Sequence, residues 1–250
     1  MLHERNEKYA TFYNYYVVGK KPRKPSNLLK ILFVLFLCIL LVFVVAFFRI
    51  RKTNSKTKFD KFAYLIVVGE FTHASDAKDL SEKVEKSGGS GFVWIEEKYC
   101  VVAFVYPTAK KAEKVKQNLT ETSWDASIKK VSIKKPTITK LANANKQALD
   151  FAWKGMAKLY DLAMGFDDNK LSETQIYKNL TDFEHEMNLI IGKLLDDEIG
   201  LTLKTKLNLL KNDVNLFLDS LPKTSSFSSK LKTLCVKFVY ACCNLYGDIV

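Results

Sequence analysis

Three patterns of apolar and polar positions follow one another along this chain of 250 residues. The first is a run of eighteen uncharged residues, 31–48 (ILFVLFLCILLVFVVAFF). At about 1.5 Å per residue it reaches roughly 27 Å as a helix, and Leu28 and Leu29 extend it to about the hydrocarbon thickness of a bilayer. The run predicts a transmembrane helix over 28–48. Thirty residues precede it, and Phe47, Phe48 and Arg49 follow instead of a small-x-small cleavage pattern. A signal anchor that stays in place is therefore favoured over a cleaved signal peptide. A buried soluble helix would need apolar neighbours on every side.

From Phe62 the pattern changes to alternation, and it occurs twice. Adding 35 to a position finds its counterpart: Tyr64 and Tyr99, Ile66 and Val101, Val67 and Val102, Phe71 and Tyr106, Ala77 and Ala112, Leu80 and Val115, Val84 and Leu119. Two copies of one supersecondary unit account for this. Each copy opens with a β-branched, aromatic-rich run, AYLIVVGEF or YCVVAFVY, which predicts a strand. Apolar residues at helical spacing follow, Ala77, Leu80 and Val84 or Ala112, Val115 and Leu119, and predict an amphipathic helix. A second strand closes each copy: Phe92 to Ile95 after the turn Ser87, Gly88, Gly89, Ser90, Gly91, and Ala126 to Ile133. Glu96, Glu97 and Lys98 turn between the middle strands. The resulting order is a split βαβ, ferredoxin-like layout (βαββαβ), with both helices on one face of a four-stranded sheet and the other face left for a ligand, a partner or solvent.

The third pattern, from Pro136 on, has a helical period. Ile176, Leu180, Phe183, Met187, Ile190 and Leu194 form one seam, and Leu203, Leu207, Leu210, Val214, Phe217 and Leu221 form another. Ser172 and Gln175 make a capping-box start for the first; Asp196, Asp197 and Glu198 suit the N-terminus of the second, and Pro222 ends it. A stripe from Leu141 to Leu162 precedes them and one from Leu231 to Leu245 follows, so about four helices bury their seams in a bundle or pair between molecules. The last is short for a membrane span and contains Lys237 and Asn244, which favours a core or interfacial helix. The fold class expected is α+β: a tail over 1–27, a transmembrane helix over 28–48, a linker over 49–61, the βαββαβ domain over 62–135 and an all-α bundle over 136–250.

Charge changes the picture through its location. The net charge of +12 invites a nucleic-acid reading, but residues 1–27 carry +4, 28–48 carry +1 and 49–61 carry +5, whereas 62–135 carry +2 and 136–250 are neutral. The excess borders the apolar run, where Lys20, Lys21, Arg23, Lys24, Arg49, Arg51 and Lys52 suit anionic lipid. Nucleic-acid binding loses its main electrostatic support. The two flanks tie on the positive-inside rule; a short tail beside a long folded region points to N-in and C-out. Tyr9, Phe12, Tyr13, Tyr15 and Tyr16 in the polar tail suit an interfacial anchor or a cytoplasmic partner. Five cysteines, among them Cys38 in the apolar run and the adjacent Cys242 and Cys243, give no disulfide framework and no metal spacing.

The stretch from about Phe62 to Ile133 resembles the SPOR domain, a small peptidoglycan-binding module of bacterial division and sporulation proteins. The likeness rests on Tyr64, Ile66, Val68, Gly69 and Phe71 in the first strand, Asp76, Ala77 and Leu80 in the first helix, Tyr99 and Val101 opening the second copy, and Ala112 in its helix. A single-pass anchor with a short basic tail is similar to that family's usual arrangement. The resemblance implies that the open sheet face binds glycan strands stripped of stem peptides. Alternation along the strands puts Leu65, Val67, Gly69, Val102 and Phe104 on that face, with Trp94 in register with Lys129, and turns Ile66, Val68, Val101 and Ala103 to the helices. Trp94 or Phe104 would offer an apolar plate for a sugar's C–H edge. The face is also apolar enough to be covered, and the chain's own C-terminal half is a candidate cover.

Catalysis has thin support. His3 lies in the tail, His73 in a turn and His185 between Glu184 and Glu186; no phosphate-binding glycine loop and no G-x-S-x-G element occurs. The expectation is a non-enzyme without cofactor or metal: a cell-wall-binding protein of division or sporulation, or an assembly protein of the membrane with protein partners or self-association through its helices. An RRM-like RNA-binding module has the same layout, but the third strand lacks the Lys/Arg-Gly-aromatic opening.

Overall fold

The computed structural model describes residues 57–133, 141–220 and 224–245, all within one compact unit, Asn54–Val250. The transmembrane helix expected over 28–48 lies outside the described residues, as do its basic flanks. Among the described residues no helix is long and apolar enough to cross a membrane.

The repeat is realised as β1 (Phe62–Phe71), α1 (Ala74–Lys86), β2 (Phe92–Ile95), β3 (Tyr99–Tyr106), α2 (Ala109–Glu121) and β4 (Ser127–Ser132). The strands form one antiparallel sheet in the order β2-β3-β1-β4, so each copy's helix crosses over a strand of the other copy. Ala77 and Ala112, one per copy, are both fully buried, because only a methyl group fits where each helix lies closest to the sheet. Gly88 (φ +83°) and Gly91 (φ +61°) turn the chain from α1 into β2 in the left-handed region that glycine adopts without strain. A Cβ at Gly91 would also meet the Ser81 carbonyl oxygen.

The repeat continues into the register of the central pair. Ile66 pairs with Phe104 and Gly69 with Val101, each pair being the other shifted by 35, and Val67 pairs with Val102 between them. Val68 and Ala103, also 35 apart, are left over at the two irregularities. Such bulges reverse the alternation beyond them and bend the sheet.

Four helices follow: α3 (Asn143–Asp167), α4 (Glu173–Ile191), α5 (Glu198–Asp219) and α6 (Thr224–Leu245). The Ser172 hydroxyl accepts from the Gln175 N–H while the Gln175 side chain accepts from the Ser172 N–H, the capping box expected for α4. Asp197 caps α5 by accepting from the Gly200 N–H at 2.6 Å. The seams meet as expected. Phe183 of α4 stacks on Phe151 at 5.0 Å and tilts against Phe238 of α6 at 5.7 Å. Gly155 lets these rings approach α3, since a Cβ there would lie 2.8 Å from Phe238 and 2.9 Å from Phe183. The core of sheet and helices is continuous.

Candidate functional site

The sheet residues expected to bind glycan do not form one open surface. Trp94 pairs with Cys100 on β3 and is only 2% exposed. The Tyr240 ring of α6 stands edge-on to it at 4.8 Å and leans on Phe92 at 5.5 Å. Phe104 is 3% exposed and lies flat against Tyr160 of α3, with centroids 5.7 Å and planes 11° apart. Leu65, Val67 and Val102 are buried. Gly69 points the other way: a Cβ there would strike Leu80 of α1, and its partner Val101 neighbours Val93, which alternates with Trp94 along the β2–β3 pair.

The shared face inferred from simple alternation is corrected in this respect. Phe104 sides with Ile66 and Gly69 with Val101, where alternation had placed each on the opposite side from its actual partner. The cause is the pair of bulges at Val68 and Ala103, which alternation carried through unbroken cannot register.

α6 is held on the sheet by polar contacts that the sequence reading missed. Thr233 donates to the Ser90 carbonyl, and two turns later the Tyr240 hydroxyl reaches the Ile95 carbonyl at 3.5 Å. Lys232 donates to the Gly88 carbonyl at 2.8 Å and pairs with Asp167 at the end of α3 at 2.7 Å. Ser228 donates to the same carboxylate at 2.6 Å. The latch therefore ties α3, α6 and the glycine turn before β2 together. The available signal was Thr233 and Tyr240 seven residues apart, outside the Leu231–Leu245 seam, marking a second contact face on α6.

Beside Trp94 lies a small polar network. The indole N–H donates to Glu96 at 2.9 Å, and Lys129 of β4 reaches the other carboxylate oxygen at 2.7 Å. Burial alone would raise the Glu96 pKa, but the hydrogen bonds from Lys129 and Trp94 outweigh it and hold the carboxyl below its ordinary value. Burial pushes the Cys100 thiol up, though Lys129 opposes it, and pushes Cys243 up to about 12. Burial also raises Tyr106 and Tyr160 above the usual phenol range, so both stay protonated as packing groups.

Nothing in this arrangement assembles a nucleophile with a base. His73 occupies the N-cap position of α1 without a side-chain cap bond, and His185 is exposed on α4. Among the described residues no group of three or more His, Cys, Asp and Glu could hold a metal ion. The described cysteines Cys100, Cys235, Cys242 and Cys243 are free thiols. On the outer side of α5, Leu201, Leu209 and Leu216 are about half exposed or more, the last 66%.

Comparison of the chain with family models, with curated proteins and with solved structures finds no match in any of the three.

Proposed function

We propose that the chain is a non-enzymatic assembly protein of the bacterial membrane, anchored by residues 28–48 with its N-terminus cytoplasmic, whose SPOR-like sheet serves as the platform for its own helices. The observation that carries this reading is Trp94, buried edge-on against Tyr240. The aromatic plate a sugar would need is occupied from within the chain, and the outer surfaces of the helices are what remains for partners. Glycan binding at that face would require α6 to leave, breaking the Thr233, Lys232 and Tyr240 contacts together.

The test is co-sedimentation of residues 59–250 with purified cell-wall sacculi, alongside Trp94→Ala and Tyr240→Ala. The expected result is no sedimentation above background for the wild type, with Tyr240→Ala alone gaining weak retention as the sheet is uncovered. Wild-type binding that Trp94→Ala abolishes would replace the assembly reading with the glycan one.

A further inference from the structure

The described chain starts at one end of the sheet, and that end is basic. Thr57 donates its N–H to Asp161 of α3 at 3.4 Å, and Phe59 packs edge-on to Tyr160 at 5.8 Å. Lys111, in the first turn of α2, sits 5.2 Å over the same Tyr160 ring. The residue after β4 closes onto this end as well, Ile133 donating to the Lys61 carbonyl at 2.8 Å, and Lys130 lies 3.7 Å over the Phe62 ring.

Lys58, Lys61, Lys110, Lys111, Lys114 and Lys130 thus gather around one pole, all exposed. None of the six makes an ion pair among the described residues. Asp60, Glu113 and, on α3, Asp161 are interspersed with them, and Glu113 is shared with Lys116 at 3.9 Å. The far end of the sheet has the opposite character: Glu70, Glu96 and Glu97 lie there, Lys98 is paired with Glu70, and the side chain of Lys129, from the middle of β4, reaches Glu96. The N-terminus of α2, with its positive dipole end, adds to the basic pole.

The tether decides what this pole meets. Eight residues, 49–56, separate the predicted membrane helix from Thr57, and fully extended they reach at most about 28 Å. The folded unit is thereby confined to within a few Debye lengths of the headgroups, with the end where the chain enters held nearest. We infer that the pole formed by Lys58, Lys61, Lys110, Lys111, Lys114 and Lys130 docks on anionic lipid headgroups, setting the folded unit upright on the bilayer with its acidic end outward. This inference rests on the reading that residues 28–48 span a membrane.

The experiment is lysine footprinting on the full chain, reconstituted into vesicles of zwitterionic lipid alone or with a third anionic lipid, using a water-soluble acylating reagent and peptide mass spectrometry. Flotation of the chain with both kinds of vesicle tests the membrane reading itself. Lys110, Lys111 and Lys114 are expected to react about fivefold more slowly with anionic lipid, the factor matching about 1 kcal/mol per basic residue near such a surface. Lys193, beyond the end of α4, should react equally in both, and high salt should abolish the difference. Lys110→Gln with Lys114→Gln should restore fast acylation at Lys111. Equal rates in both vesicles, with flotation intact, overturn the docking while leaving the membrane reading in place. Protection by a soluble polyanion but not by anionic vesicles overturns it in favour of a soluble partner. A chain that floats with neither vesicle removes both.

Discussion

Whether α6 covers the sheet can be measured through Trp94 and Tyr240. A tryptophan side chain buries on the order of 200 Å², so at about 25 cal/mol per Å² the transfer contribution is bounded near 5 kcal/mol. With Trp94 only 2% exposed and its N–H on Glu96, Trp94→Ala should destabilise the fold by about 3–4 kcal/mol. Tyr240 is half-buried, and Tyr240→Ala should cost about 2 kcal/mol. The two rings meet edge-on at 4.8 Å, so a double-mutant cycle should return a coupling of about 1 kcal/mol, the double variant losing less than the singles combined. Urea unfolding of residues 59–250 followed by circular dichroism gives all four stabilities. Additivity within about 0.3 kcal/mol, together with a Trp94→Ala cost under about 1 kcal/mol, would show that Trp94 faces water and refute the covered sheet.

Gly155→Ala should destabilise despite the helix propensity it gains, since the new methyl group meets Phe183 and Phe238, two rings with no room to withdraw; a net loss of about 1–2 kcal/mol in urea unfolding is expected. Asp167→Asn should cost about 2 kcal/mol by leaving the mostly buried Lys232 ammonium without its carboxylate, and should speed amide exchange in α6 more than in α4. Glu96 has a lowered pKa, so its contribution is present above the ordinary carboxylate pKa and lost as pH falls through its folded value. Glu96→Gln should therefore lower stability at neutral pH and flatten its fall on the acid side, read as thermal midpoint against pH.

The element order was legible because the 35-residue repeat counts each strand and helix twice. It brackets β2 at Phe92–Ile95 and places β4 within a residue or so, and the capping box at Ser172 marks the start of α4. The side-chain faces of β1 and β3 were not legible from alternation. A bulge is one residue of backbone, and Val68 and Ala103 look like any other apolar strand positions. Nor does a helical seam name its partner. Tyr160 and Tyr240 are apolar enough to be buried, but that α3 and α6 spend them on Phe104 and Trp94 depends on packing between stretches far apart in sequence. The expected cover was therefore visible as a need, through the apolar character of Leu65, Val67 and Val102, before the rings that meet it could be named.

That the sheet's cover comes from α6, the last described helix, bears on how the protein is made. During synthesis the two repeat copies can pair within roughly seventy residues of chain, yet Trp94 and Phe92 stay wet until Tyr240 has left the ribosome. A chain interrupted before α6 would present that aromatic strip to water, a surface suited to chaperones and proteases. The helix that closes the fold is then also the one whose synthesis ends that exposure.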